Sequence, residues 1–251
     1  MNRLQSELNR LYLSWPPAQV DGDAQAPGWI DASNRVRALV LELTRAPDWE
    51  LLSRVWVGVQ AELELPAPAI AVSGSDGLQL WFALAEPVAA ARAHAFLDGL
   101  RRHFLPDVDA RRVRLLPSAD GSALPQPVPA LQPLTGNWSA FVAQDLAPVF
   151  AEAPWLDIPP NEEGQANLLR GIALAKPAAF EAALARLGPL PEPVPTPAPP
   201  VAVPPGAGVA DAGTVDPQRF LRAVMNDETV AMALRIEAAK ALLQHARGQG
   251  G

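Results

Sequence analysis

The residues in this sequence best suited to chemistry are arginines and tryptophans. Arg92, Arg101, Arg102, Arg111, Arg112 and Arg114 make the one basic cluster, set against Asp98, Asp107 and Asp109. Guanidinium groups at that density suit phosphate oxygens. They also suit a solvated helix face with local ion pairs. Of the seven tryptophans, Trp138 and Trp155 flank irregular sequence and are candidates either for base-stacking platforms or for loop anchors. Trp49 and Trp56 lie on an apolar helical stripe and read as core. His94, His103 and His245 are scattered, and the nine-residue gap between the first two is not a spacing that joins two ligands on one metal. Each reads as a solvated or capping histidine. The patterns G-x-x-x-x-G-K-[ST], G-x-G-x-x-G between strand and helix, H-E-x-x-H and G-x-S-x-G are all absent. Their absence removes the nucleotide-binding, zinc-protease and serine-hydrolase chemistries that depend on them.

The elements that must position these residues are legible from periodicity. Leu4, Leu8, Leu11 and Tyr12 predict a helix over 2–13. The run VRALVLELT at 36–44 predicts a strand with much of both faces buried. Trp49, Leu52, Trp56, Val59 and Leu63, behind the N-cap candidate Asp48, predict an amphipathic helix over 48–64. Strands follow at 69–73 and 77–84, joined by Gly74-Ser75-Asp76 as a hairpin. Ala93, Phe96, Leu97, Leu100 and Phe104 give a helix over 88–104, and Arg111 to Leu116 a further strand. Residues 117–137 read as a long loop, 138–143 as a strand, and Pro177 to Leu187 as a short helix. The order predicts an α+β body with a central, mostly antiparallel sheet and flanking helices.

The 251 residues include 28 prolines, and nine of those fall between Gly188 and Gly213. Such a segment stays near polyproline II and cannot pack a core. It divides the chain into a body (1–187), a semi-rigid linker (188–213) and a tail (214–251). In the tail, Asp216-Pro217 starts one helix and a second runs to about Ala246, which predicts a helical hairpin. Apolar residues are 49% of the chain, enough for a core, and cysteine is absent, which excludes disulfides and thiolate metal sites. No apolar run approaches the length of a spanning helix, so no membrane partner is expected. The start, MNRLQSELNR, lacks an apolar signal core and reads as cytoplasmic. A net charge of −7 argues against a general nucleic-acid coat, because phosphate binding needs cationic excess.

The stretch SGSDGLQLWF, 73–82, resembles the second motif of archaeo-eukaryotic primases and primase-polymerases, S-G-x-x-G-x-H-x-W. Ser73, Gly74, Gly77 and Trp81 fall at the family spacing, and Gln79 stands where the family has histidine. The resemblance covers about 36–145. It implies that the strand at 36–44 takes the place of the D-x-D strand that binds two divalent metals, so the pair reads Glu42-x-Thr44. It further implies that Ser73 and Gln79 face nucleotide phosphates, and that the strand with Arg112 and Arg114 supplies the later carboxylate or basic residue. Two-metal nucleotidyl transfer needs clustered carboxylates holding ions about 4 Å apart. Thr44 is neutral, and Gln79 cannot carry charge or relay a proton as imidazole does.

The tail, with DPQRFLRAVMND and LRIEAAKALL, resembles helical segments of small phage-terminase-like and other phage-associated proteins. Together the resemblances imply a non-catalytic, nucleic-acid- or nucleotide-associated accessory protein of a phage or mobile element. Its remnant pocket would be lined by Glu42, Ser73, Gln79, Arg112 and Arg114, and it would need no cofactor. Two alternatives stay open. One is a divergent metal-dependent nucleotidyltransferase, using Mg²⁺ or Mn²⁺ on Glu42 with Asp76 or Asp120. The other is an adaptor without nucleic acid, whose C-terminal helices dock a protein partner.

Overall fold

The computed structural model describes residues 2–13 and 28–188. The chain divides between Val194 and Pro195, and everything described belongs to the first unit. The Pro-rich linker and the expected helical hairpin at 214–251 lie outside the described residues.

The first unit is α+β. Its helices are α1 (Arg3–Leu11), α2 (Trp49–Ala61), α3 (Ala90–Phe104), α4 (Glu162–Arg170) and α5 (Pro177–Arg186). Its strands are β1 (Arg35–Thr44), β2 (Ala69–Val72), β3 (Gly77–Ala89), β4 (Val113–Leu116) and β5 (Ala140–Val142). They form one five-stranded sheet in the order β4-β1-β3-β2-β5, antiparallel throughout.

β1 lies inside the sheet and is buried along nearly its whole length, which is why its sequence runs apolar rather than alternating. Leu39, Leu41 and Leu43 point to one face, where they meet Leu52, Val55 and Val59 of α2, Phe96 and Leu100 of α3, and Phe180 of α5. Ala38 and Val40 point to the other, into a smaller core with Leu4, Leu11 and Tyr12, Trp81, Phe141 and Leu169 of α4. On that second face the tyrosine, Trp29, Trp81 and Phe141 form an aromatic cluster, with Tyr12 and Trp81 edge to face at 5.1 Å.

Asp48 and Asn161 accept from Glu50 N and Gly164 N, capping α2 and α4. β5 would be an exposed edge, but Gln165 of α4 closes it. Its Oε1 accepts from Phe141 N at 2.7 Å and its Nε2 donates to Phe141 O at 2.9 Å. The side-chain amide therefore stands in for a neighbouring strand's peptide group. The Tyr12 hydroxyl, fully buried, has no hydrogen-bond partner among the described residues. Burial also pushes its pKa far above the ordinary tyrosine value. Tyr12→Phe is expected to raise stability by about 1 kcal/mol by removing an unpaired buried hydroxyl. A loss of stability on urea denaturation would contradict that.

Candidate functional site

The cross-strand register brings the expected site residues into one row. Glu42 on β1 is the direct partner of Gln79 on β3 and of Arg114 on β4. Direct partners share a face, and Gln79 lies in turn beside Ala71 on β2. Thr44, two residues beyond Glu42 on the same side, pairs with Gly77. The polar row continues the second face just beyond Val40 and Trp81, where the aromatic cluster ends.

Each side chain in the row is held. Glu42 is only 2% exposed, while the Arg114 side chain that reaches it is 59% exposed. Arg114 Nη1 lies 3.2 Å from Glu42 Oε2. Gln79 is buried; its Oε1 accepts from Trp81 Nε1 at 2.8 Å, and its side chain hydrogen-bonds to Glu42. Trp81 thus orients the amide that faces the carboxylate. Gly77 is glycine because a Cβ there would sit 2.4 Å from Glu42 Oε1. Gly74 has φ +80° and a Cβ there would lie 2.8 Å from Ser139 N, so backbone conformation and close approach both require it.

The remaining expected residues border this row. The Ser73 hydroxyl turns into its own hairpin, accepting from Gly77 N at 2.9 Å and Ser75 N at 3.2 Å. Arg112 Nη2 donates to Ala46 O at 2.7 Å, and its Nε is buried without a partner among the described residues. Thr44 Oγ1 donates to the Arg112 carbonyl at 3.4 Å. Asp76 is near enough to influence Glu42, but Asp120 is not. Asp120 sits beside Asn34, at the far end of β1, in a turn where the Ser118 and Ser122 hydroxyls hold its carboxyl down at about 2. It cannot join Glu42 on a metal.

Glu42 is the titrating group of the row. Burial pushes its carboxyl above the ordinary 4.5; Arg114 and the Gln79 hydrogen bond pull it back, and Asp76 pushes it up again. Well below pH 4.5 the group is neutral folded and unfolded, so its titration costs nothing. As pH rises, the unfolded chain ionises first and the folded state loses stability. Glu42→Gln is therefore expected to match the parent near pH 4 and exceed it in stability at pH 7. An equal gap at both pH values on urea denaturation would contradict this.

Divalent metal does not fit the row. Glu42 is its one carboxylate and is already paired with a guanidinium, Thr44 is neutral, and no group of three His, Asp or Glu among the described residues could hold an ion. What the row offers instead is an exposed guanidinium beside a buried acid.

The basic cluster splits into two. Arg101 and Arg102 both bind Asp98, and Arg92 binds Glu181, so the helical half is a face of local ion pairs. Arg111, Arg112 and Arg114 sit together on the short 3₁₀ turn and β4, next to the row. His94 Nδ1 contacts the Pro117 carbonyl at 3.0 Å and His103 Nε2 lies 3.0 Å from Glu62, so both tie α3 to its neighbours. Trp49 and Trp56, expected in the core, are half-buried at its edge, and Trp56 Nε1 donates to Pro68 O at 3.1 Å. Trp138 lines a cavity of about 500 Å³ with Trp29, Leu8 and Pro160, and Trp155 lines another beside the hairpin tip. No helix among the described residues is long and apolar enough to cross a membrane.

No family model matches this sequence, and no curated protein sequence matches it. The functional reading therefore stands on the residues and their geometry.

Proposed function

We propose that this protein is a nucleic-acid- or nucleotide-associated accessory factor, built on a degenerate primase-like domain and without nucleotidyl-transfer activity. One observation carries the reading: positions 42, 79 and 114, distant in sequence, meet as direct neighbours across three strands. The resemblance assigns these positions to carboxylate, imidazole and a third charged group. Here they hold a glutamate, a glutamine and an arginine, a row whose formal charges cancel. Arg114 takes the place a cation would have beside Glu42 and keeps its outer donors in solvent. Arg111 and Arg112 extend that positive edge toward an anionic strand. A setting in a phage or mobile element belongs to the same reading and rests on the sequence of the tail.

The test is a gel shift with a labelled single-stranded oligonucleotide across a salt series. Binding at low salt, falling linearly with log salt concentration, is expected. Arg112→Ala is expected to weaken it and reduce the slope by about one phosphate contact. No shift even at the lowest salt, where phosphate attraction is strongest, would overturn the reading in favour of the protein-binding adaptor.

A further inference from the structure

We infer a base-binding pocket at the tip of the β2–β3 hairpin, separate from the Glu42 row, that takes a guanine with its phosphate. A cavity of about 460 Å³ opens there. It is walled by Pro47 and Asp48 from the β1–α2 turn, Ser75 and Asp76 from the hairpin tip, and Glu152 and Trp155. The segment carrying the indole is pinned to the hairpin: Gly74 N donates to Pro154 O at 3.0 Å, and Leu156 exchanges backbone bonds with Trp138 at 2.7 and 3.0 Å. The half-buried indole therefore sits on a fixed support at the cavity wall, where an aromatic ring can stack on a base.

The polar groups narrow the ligand. Asp48 already caps α2, through a 2.8 Å bond from Glu50 N. Asp76 and Glu152 are exposed and form no ion pair among the described residues; apart from a 3.5 Å bond from Ser75 Oγ to Asp76, their carboxylate oxygens are open to a ligand's N–H donors. Guanine presents two adjacent donors on one edge, N1–H and N2–H, a match for one carboxylate; thymine offers a single N–H between carbonyls that carboxylates repel. Ala46, which lines the same cavity, accepts from the Arg112 guanidinium through its carbonyl, and exposed Arg45 precedes it in the chain. Arg45 and Ala46 both have positive φ, 56° and 65°, so two successive side-chain-bearing residues hold a left-handed turn at this rim. A stacking wall, carboxylate acceptors and a guanidinium rim together complement a nucleotide. A bare phosphate would meet the two carboxylates, and a peptide arginine would meet Arg112.

This inference rests on the nucleic-acid reading, and the experiment separates the two. The full chain is titrated, by fluorescence anisotropy, with a labelled dT octamer and with the same octamer carrying one central guanine. The guanine-bearing strand is expected to bind about fivefold or more tighter. Trp155→Ala is expected to weaken it by about five- to a hundredfold with the salt slope unchanged, and Trp155→Phe to retain most of the affinity. Asp76→Asn with Glu152→Gln is expected to erase the guanine preference while the dT octamer still binds. Wild-type affinity in Trp155→Ala, with Arg112→Ala weakened, would overturn the pocket and leave the nucleic-acid reading standing. No binding of either strand at low salt would overturn both. Competition by N-acetyl-arginine amide as strong as by guanosine monophosphate would assign the cavity to a cationic peptide and overturn the inference.

Discussion

Thr44→Asp combined with Arg114→Asp is expected to create a Mn²⁺ site in the Glu42 row, where the parent's residues offer one carboxylate. Residue 44 lies two positions from Glu42 on the same face of β1, and residue 114 is directly across on β4. Cβ atoms of the direct pair 42 and 114 are about 5 Å apart, and residue 44 is roughly 7 Å from each, within reach of three carboxylates that share an ion. Without metal the variant should be less stable than the parent, because three carboxylates crowd a buried spot and the Arg114 countercharge is gone. Mn²⁺ should reverse that. At a hundredfold excess over the dissociation constant, binding adds about 2.7 kcal/mol, or roughly 5–10 °C in melting temperature for a body of this size. Thr44→Ala with Arg114→Ala should show no metal-dependent shift. A double-aspartate variant that folds yet neither binds Mn²⁺ nor melts higher with it would show that the three positions do not converge.

Gln165→Leu is expected to be strongly destabilising although it replaces one side chain by another of similar volume. Leucine fits the site's volume but supplies neither acceptor nor donor, so Phe141 N–H and C=O are both left buried and unpaired. Each such group costs about 1–3 kcal/mol, so a loss of about 2–5 kcal/mol is expected on urea denaturation. Gln165→Glu keeps the acceptor for Phe141 N but sets a carboxylate against the Phe141 carbonyl. It should fall between parent and leucine at low pH and approach leucine as the carboxylate ionises. An unchanged midpoint for Gln165→Leu would mean that the edge of β5 is satisfied in some other way.

Much of the fold was legible because single elements carry strong periodicity. The stripe from Trp49 to Leu63 marks α2, the run from Val36 to Thr44 marks β1, and the two glycines around Ser75-Asp76 mark the hairpin. Two elements were obscured for physical reasons. α4 falls in a stretch where periodicity marks no element, because EEGQANLLR contains a glycine and only Ala166 and Leu169 face the core with Gln165; Asn161 before two glutamates is the signal that could find it. β3 was expected to stop near Leu84, yet it runs to Ala89 past Pro87. The register shift between Val36 and Ala38 leaves Pro87 outside the regular ladder, where a missing N–H is tolerated.

The site was half legible. The spacing of Ser73, Gly74, Gly77 and Trp81 singled out the hairpin, but only the register shows that Gly77 is kept small by the Glu42 carboxylate above it. The arginine cluster carried two readings in sequence: local ion pairs hold along α3, whereas at β4 Arg114 pairs with Glu42 and Arg112 with the Ala46 carbonyl, and phosphate contact there belongs to the proposal. The role of Gln165 could not be read in sequence, because a glutamine in a helix resembles a solvated residue until its neighbour in space is known.

The central claim is that an arginine, not a metal, completes the Glu42 row, and that the surface so formed holds nucleic acid. It is tested most directly by oligonucleotide binding to the full chain at low salt, measured in EDTA and again with Mn²⁺. The account predicts binding in EDTA that Mn²⁺ does not strengthen. Binding that requires Mn²⁺ and disappears in Glu42→Ala would contradict it, as would no binding under either condition.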